Sequence, residues 1–73
     1  MGSINGTAVR GYRRLSGRTV AELAKELGIS AGHLSRIETG GREPGVALVL
    51  KIASTLDVEI GQITYPLEMA VAS

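Results

Sequence analysis

The side chains in this sequence with chemical potential are hydroxyls, one histidine and a set of arginines. Ser16, Ser30, Ser35 and Thr39 lack the base and orienting carboxylate that nucleophilic chemistry requires, and they read as caps and surface. His33 is the sole histidine and cysteine is absent, so neither a zinc site nor a disulfide can be assembled. No residue set supports an enzyme, and no metal or cofactor is implied. The arginines remain, and they are unevenly spread. Residues 1–42 carry Arg10, Arg13, Arg14, Arg18, Lys25, Arg36 and Arg42 against Glu22, Glu26 and Glu38, a net +4. Residues 43–73 carry Lys51 against Glu43, Asp57, Glu59 and Glu68, a net −3. An overall charge of +1 therefore hides one half suited to meeting phosphates and one half that is not.

Those charges need a scaffold, and 73 residues allow one small domain. A chain this short buries only about 60% of its unfolded surface, so its stability margin is thin. Tyr12 and Tyr65 are the only aromatics, which makes the core aliphatic. A second subunit is one source of further burial. No apolar run approaches the ~18 residues of a membrane span. The first residues show no signal-peptide pattern, and Gly6 stands where a myristoylation motif needs Ser or Thr. Residues 1–6 read as a flexible leader, and the expected location is the cytoplasm, away from membranes.

Five helical segments can be drawn, with no strand pattern and no repeat. The first spans about Thr7 to Ser16, with Val9, Tyr12, Arg13 and Ser16 on one face. Thr19 and Glu22 form a capping box for the second, Val20 to Leu27, which stops at Gly28. Ser30 caps the third, Ala31 to Thr39, whose buried stripe is Leu34 and Ile37. The fourth, Val46 to Leu56, is apolar nearly all round. A short fifth is expected from Glu59 to about Thr64, followed by a tail. Between the second and third helices, Gly28-Ile29-Ser30 makes a tight glycine-centred turn. Ala24 is small enough for the third helix to cross the second closely, and Ile29 plugs the corner.

These residues resemble the Cro/C1-type (XRE-like) helix-turn-helix family of phage repressors and bacterial regulators. The matching string is Thr19-Val20-Ala21-Glu22-Leu23-Ala24, then Gly28-Ile29-Ser30, then Leu34-Ser35-Arg36-Ile37-Glu38-Thr39-Gly40. It continues through Arg42, Pro44, Leu50-Lys51-Ile52-Ala53, Leu56 and Val58, with Val9, Arg10 and Arg13 matching upstream. The resemblance covers roughly residues 8–64. It implies an all-α, compact five-helix, lambda-repressor-like domain over residues 7–64, with 65–73 as a tail available for dimerisation. The third helix then lies in the major groove of double-stranded DNA, with Ala31, Gly32, Ser35 and Arg36 toward the bases. With Leu34 and Ile37 inward, Arg36 is the one long base-reader, and a guanidinium pairs best with guanine O6 and N7. Phosphate contacts are expected from Arg18, Thr19, Ser30, His33, Thr39 and Arg42. Arg13 and Glu38 match an internal salt bridge of the family.

The chain also departs from that pattern. Val20 replaces a polar residue that touches phosphate, and Arg18 is expected to supply the missing contact. Ala31 and Gly32 stand where longer readers are common, so DNA shape carries part of the specificity. Ala47 and Leu48 are apolar where the family is polar. Leu48 either packs beneath the tail or meets a subunit or partner. The expected interface residues are Leu48, Val58, Ile60, Ile63, Tyr65 and Leu67. The resulting expectation is a repressor that binds a pseudo-palindromic operator as a homodimer. The alternatives are an antitoxin-type interaction module, whose partner protein is a toxin, and a restriction–modification controller protein.

Overall fold

The computed structural model describes residues 2–66. Four α-helices follow one another: α1 (Gly6–Leu15), α2 (Val20–Leu27), α3 (Ala31–Thr39) and α4 (Val46–Leu56). A single 3-10 turn, Ile60–Gln62, comes after them. Each of the first three helices starts on a side-chain cap. The Asn5 side chain accepts the Ala8 N–H at 3.1 Å, Thr19 and Glu22 close a reciprocal capping box, and the Ser30 hydroxyl accepts the His33 N–H at 3.0 Å. These bonds satisfy donors that a helix start leaves orphaned. Between α2 and α3 the chain reverses at Gly28, whose φ of 75° lies in the left-handed region that a side chain would strain. Ala24 is buried in that angle, and Ile29 packs against the core beside it.

The four helices enclose an aliphatic centre. Val9, Leu23, Leu34, Ile37, Val49, Ile52 and Ile63 are its largest fully buried side chains. Burying each contributes about 1.5–3 kcal/mol, which holds α3 with its Leu34–Ile37 side inward. From α4, the Lys51 ammonium donates to the Leu27 carbonyl at 3.1 Å. It satisfies an orphan carbonyl at the end of α2 and fixes that helix to α4.

Two expectations are corrected here. The fifth helix is only the one-turn 3-10 segment, so the domain has four α-helices. Gly61 and the β-branched pair Ile60 and Ile63 disfavour a longer helix, and Pro66 soon follows. The residues read as a flexible leader are docked from Ser3 onward. Ile4 is buried in the core, and its N–H donates to a Glu43 carboxylate oxygen at 2.8 Å. Ile4 also forms an antiparallel bridge with Thr64. Asn5 donates to the Ile63 carbonyl at 2.7 Å, and Tyr65 to the Ser3 carbonyl at 2.8 Å. The strap thus begins α1 one residue early, at Gly6. A side chain at Gly6 would collide with the Ile37 and Glu38 carbonyl oxygens, so α1 meets the end of α3 backbone to backbone.

Candidate nucleic-acid interface

The outer surface of α3 is fixed by what its inner surface buries. Leu34 and Ile37 are fully buried, leaving Ala31, Gly32, Ser35, Arg36 and Thr39 exposed and His33 half-buried. Arg36 is the only long side chain in the exposed set. An alanine-sized group added at Gly32 would meet nothing within 4 Å. The Thr39 hydroxyl donates to the Ser35 carbonyl at 3.0 Å, so its lone pairs face outward. Thr19 and Ser30 sit exposed at the starts of α2 and α3, with their oxygens engaged in capping. Arg42 is exposed in the loop after α3.

Behind this face, Arg13 of α1 grips Glu38 of α3. Its Nε donates at 2.7 Å and Nη2 at 3.1 Å, while Nη1 donates to the Arg18 carbonyl at 2.9 Å. Both side chains are buried, with relative exposures of 8% and 5%. Arg13 therefore cannot reach a ligand. It locks the far end of α3 to α1 and sets the tilt of the exposed row.

Arg18, an expected phosphate contact, is paired with Glu26. Its Nε donates to Glu26 at 2.5 Å and its Nη2 at 3.1 Å, a two-pronged pair on the surface of α2. The hydrogen bond to Glu26 raises the Arg18 pKa, and the same bond lowers that of Glu26. The pair is open to solvent, so in this structure the Arg18 guanidinium is turned toward Glu26 on a surface where such pairs exchange readily.

Two further cations lie beside this face. Arg10 and Arg14 lie exposed on α1 and line a cleft of about 300 Å³ with Val20, Ser35 and Thr39. Helical spacing alone turns them away from buried Val9 and Arg13, but it does not reveal that α3 lies alongside.

The sequence model of the helix-turn-helix family matches residues 9–63. The chain belongs to the Cro/C1-type helix-turn-helix family. Members of this family are DNA-binding transcriptional regulators, not enzymes. An uncharacterised helix-turn-helix regulator of Bacillus subtilis, YazB, is 36% identical over 61 residues, covering 84% of this chain and 88% of that protein. The restriction-modification controller protein C.AhdI of Aeromonas hydrophila superposes with a TM-score of 0.73 at 28% identity, covering 78% of this chain and 86% of the other. The biofilm regulator SinR, solved in complex with DNA, gives 0.70 at 30% identity, covering 75% and 89%. SinR in its complex with SinI gives 0.70 at 25%, covering 92% and 74%.

In this helix-turn-helix domain the C-terminal half differs from expectation. Ile63 is fully buried and supports the core, so it is withdrawn as an interface residue. The Asn5 N–H donates to the Ile63 carbonyl, which ties the N-terminal strap to this segment. Leu48, Val58 and Ile60 are half-buried against the core, Tyr65 is exposed, and Leu67 lies outside the described residues. Among the described residues, Leu15, Val46 and Leu50 also face outward, with exposures of 83%, 61% and 47%. Among the described residues, no helix is long and apolar enough to cross a membrane.

Proposed function

We propose that this regulator represses transcription in the cytoplasm by binding a pseudo-palindromic operator as a homodimer, with α3 of each subunit in the major groove. The observation that carries this reading is the face of α3, where exposed Arg36 stands among small residues on a helix locked from behind. A DNA complex of SinR supports it. In this reading Arg36 donates two hydrogen bonds to guanine, and Ala31 packs against a thymine methyl. Gly32 lets the backbone approach, while Ser35 makes a short polar contact. Thr19, Ser30, His33, Thr39 and Arg42 orient the domain on phosphates and carry no sequence information themselves. So small a set of readers leaves the rest of the specificity to DNA shape.

Arg36→Ala is expected to cost about 1–3 kcal/mol on a site selected from random DNA and to relax preference at one base pair per half-site. Arg42→Ala should weaken selected and random duplexes alike. Equal losses on both duplexes for Arg36→Ala would remove it as a base-reader. For assembly, two recognition helices must sit about 34 Å apart, and the acidic half with Leu48, Val58, Ile60 and Tyr65 is the natural contact. Sedimentation should give two subunits per operator, and truncation after Thr64 should weaken dimerisation and DNA affinity together. A monomer with undiminished affinity would overturn the dimer. Outward-facing Val46 and Leu50 favour a second reading, a protein partner on α4, and SinR's complex with SinI is a precedent in a relative. Copurification of a stoichiometric partner would favour that reading.

A further inference from the structure

We propose that α1 is a phosphate clamp, in which Arg10 and Arg14 hold the DNA backbone bordering the groove that α3 enters. The proposal rests on the DNA-binding reading and assigns a contact surface outside the helix-turn-helix unit. Arg10 and Arg14 are four residues apart and share one face of α1, and Thr7 extends the row three residues earlier. Val9 and Arg13 are buried on the adjoining flank, roughly 100° round the helix, and fix its rotation. The helix is also held along its length. Asn5 caps its start, and the Tyr12 hydroxyl accepts a hydrogen bond from Gln62 at 3.1 Å.

The charge balance of the cleft decides what it attracts. Its floor is the Arg13–Glu38 pair, which cancels itself. Its walls are Arg10, Arg14, Val20, Ser35 and Thr39. Among the described residues the salt bridges are Arg13–Glu38 and Arg18–Glu26, so Arg10 and Arg14 hold two uncancelled positive charges beside Ser35 and Thr39. Val20 has no polar group to offer, and Arg18 is held by Glu26. On this side of α3, among the described residues, the guanidiniums without a carboxylate partner are therefore those of α1. Guanidinium forks match phosphate oxygens, which only accept hydrogen bonds.

The test uses the full chain, a mixed-sequence DNA duplex and a duplex selected from a random pool, titrated between about 50 and 200 mM salt. Arg10→Ala/Arg14→Ala should lower affinity for both duplexes by the same factor. It should also reduce the salt slope by ~0.9 per arginine per bound subunit. The wild-type fall in affinity across that salt range then shrinks about tenfold per subunit. Arg10→Lys/Arg14→Lys should keep most of the slope, and the thermal melting of both variants should match wild type because both positions are exposed. An unchanged slope in the alanine pair overturns the clamp, as does a loss confined to the selected duplex. If wild type binds neither duplex, the DNA-binding reading falls with it. If Arg36→Ala alters specificity while the alanine pair does nothing, only the clamp falls.

Discussion

The seam between α1 and α3 and the outer surface of α2 are each spanned by an arginine–glutamate fork. Arg13–Glu38 closes at 2.7 and 3.1 Å, and Arg18–Glu26 at 2.5 and 3.1 Å. By distance they are equals. Water separates them: the first pair is buried, whereas the side chains of the second are 28% and 42% exposed. In the seam, removing one partner strands a desolvated charge. On α2, solvent replaces whichever partner is lost. The seam therefore governs whether α3 keeps its orientation, and the α2 pair governs only how much charge that surface shows.

The largest break in this comparison is Arg13→Ala. It should cost about 3–5 kcal/mol, against a total stability of roughly 4–11 kcal/mol for a chain of this length. A urea midpoint equal to wild type would refute the buried role. The paired change Arg13→Met/Glu38→Leu should recover much of the loss, because no charge is then left unpaired. A smaller seam defect is Gly6→Ala. Its new methyl would stand 2.5 Å from the Glu38 carbonyl oxygen, and pushing α1 off α3 should cost about 1–3 kcal/mol. An unaltered melting temperature would mean the helices separate freely.

The α2 pair should respond through charge instead. Glu26→Gln should leave the melting temperature unresolved from wild type while steepening the salt dependence of DNA binding, because Arg18 is released. A clear drop in melting temperature would promote the pair to a structural role. The smallest effect is in acid. Hydrogen bonds from the Thr19 backbone and from Arg18 hold the Glu22 and Glu26 carboxyls below the ordinary carboxylate range. A lowered folded pKa gives stability that is complete above the unfolded value and lost as pH falls through the folded one. The contribution should therefore be flat near neutrality and fade only below that ordinary range, and Glu26→Gln should remove part of the fading. A decline beginning above that range would have another source.

The α2–α3 unit was legible in the sequence because its determinants are local. Thr19 with Glu22, Gly28, Ser30, and Leu34 with Ile37 each act within one turn or one helix face. The Arg13–Glu38 pair spans 25 residues, and only the family resemblance exposed it. The Arg18–Glu26 pair is not legible in the same way, because Arg18 lies just outside α2 and reaches across to Glu26, a pairing that helix spacing does not encode. Ile4 and Ile63 were placed outside the core for a related reason. Each is buried by the other end of the chain, and neither sits in a long periodic segment. Arg10 and Arg14 are visible as charges, but the cleft they share with Ser35 and Thr39 is formed by a neighbouring helix.

The strap also sets the order in which the molecule comes apart. Ser3 with Tyr65, and Ile4 with Thr64, join residues roughly sixty positions apart, a closure that costs more chain entropy than any contact inside α2 and α3. Contacts of that span are slow to form, and chain ends are commonly the first segments to fray. When they open, Ile4 releases Glu43, and the loop carrying Arg42 loses its tether. The amides of Ile4, Asn5 and Tyr65 should therefore exchange with solvent ahead of those in α2 and α3. The loop after α3 should loosen together with the N-terminal strap.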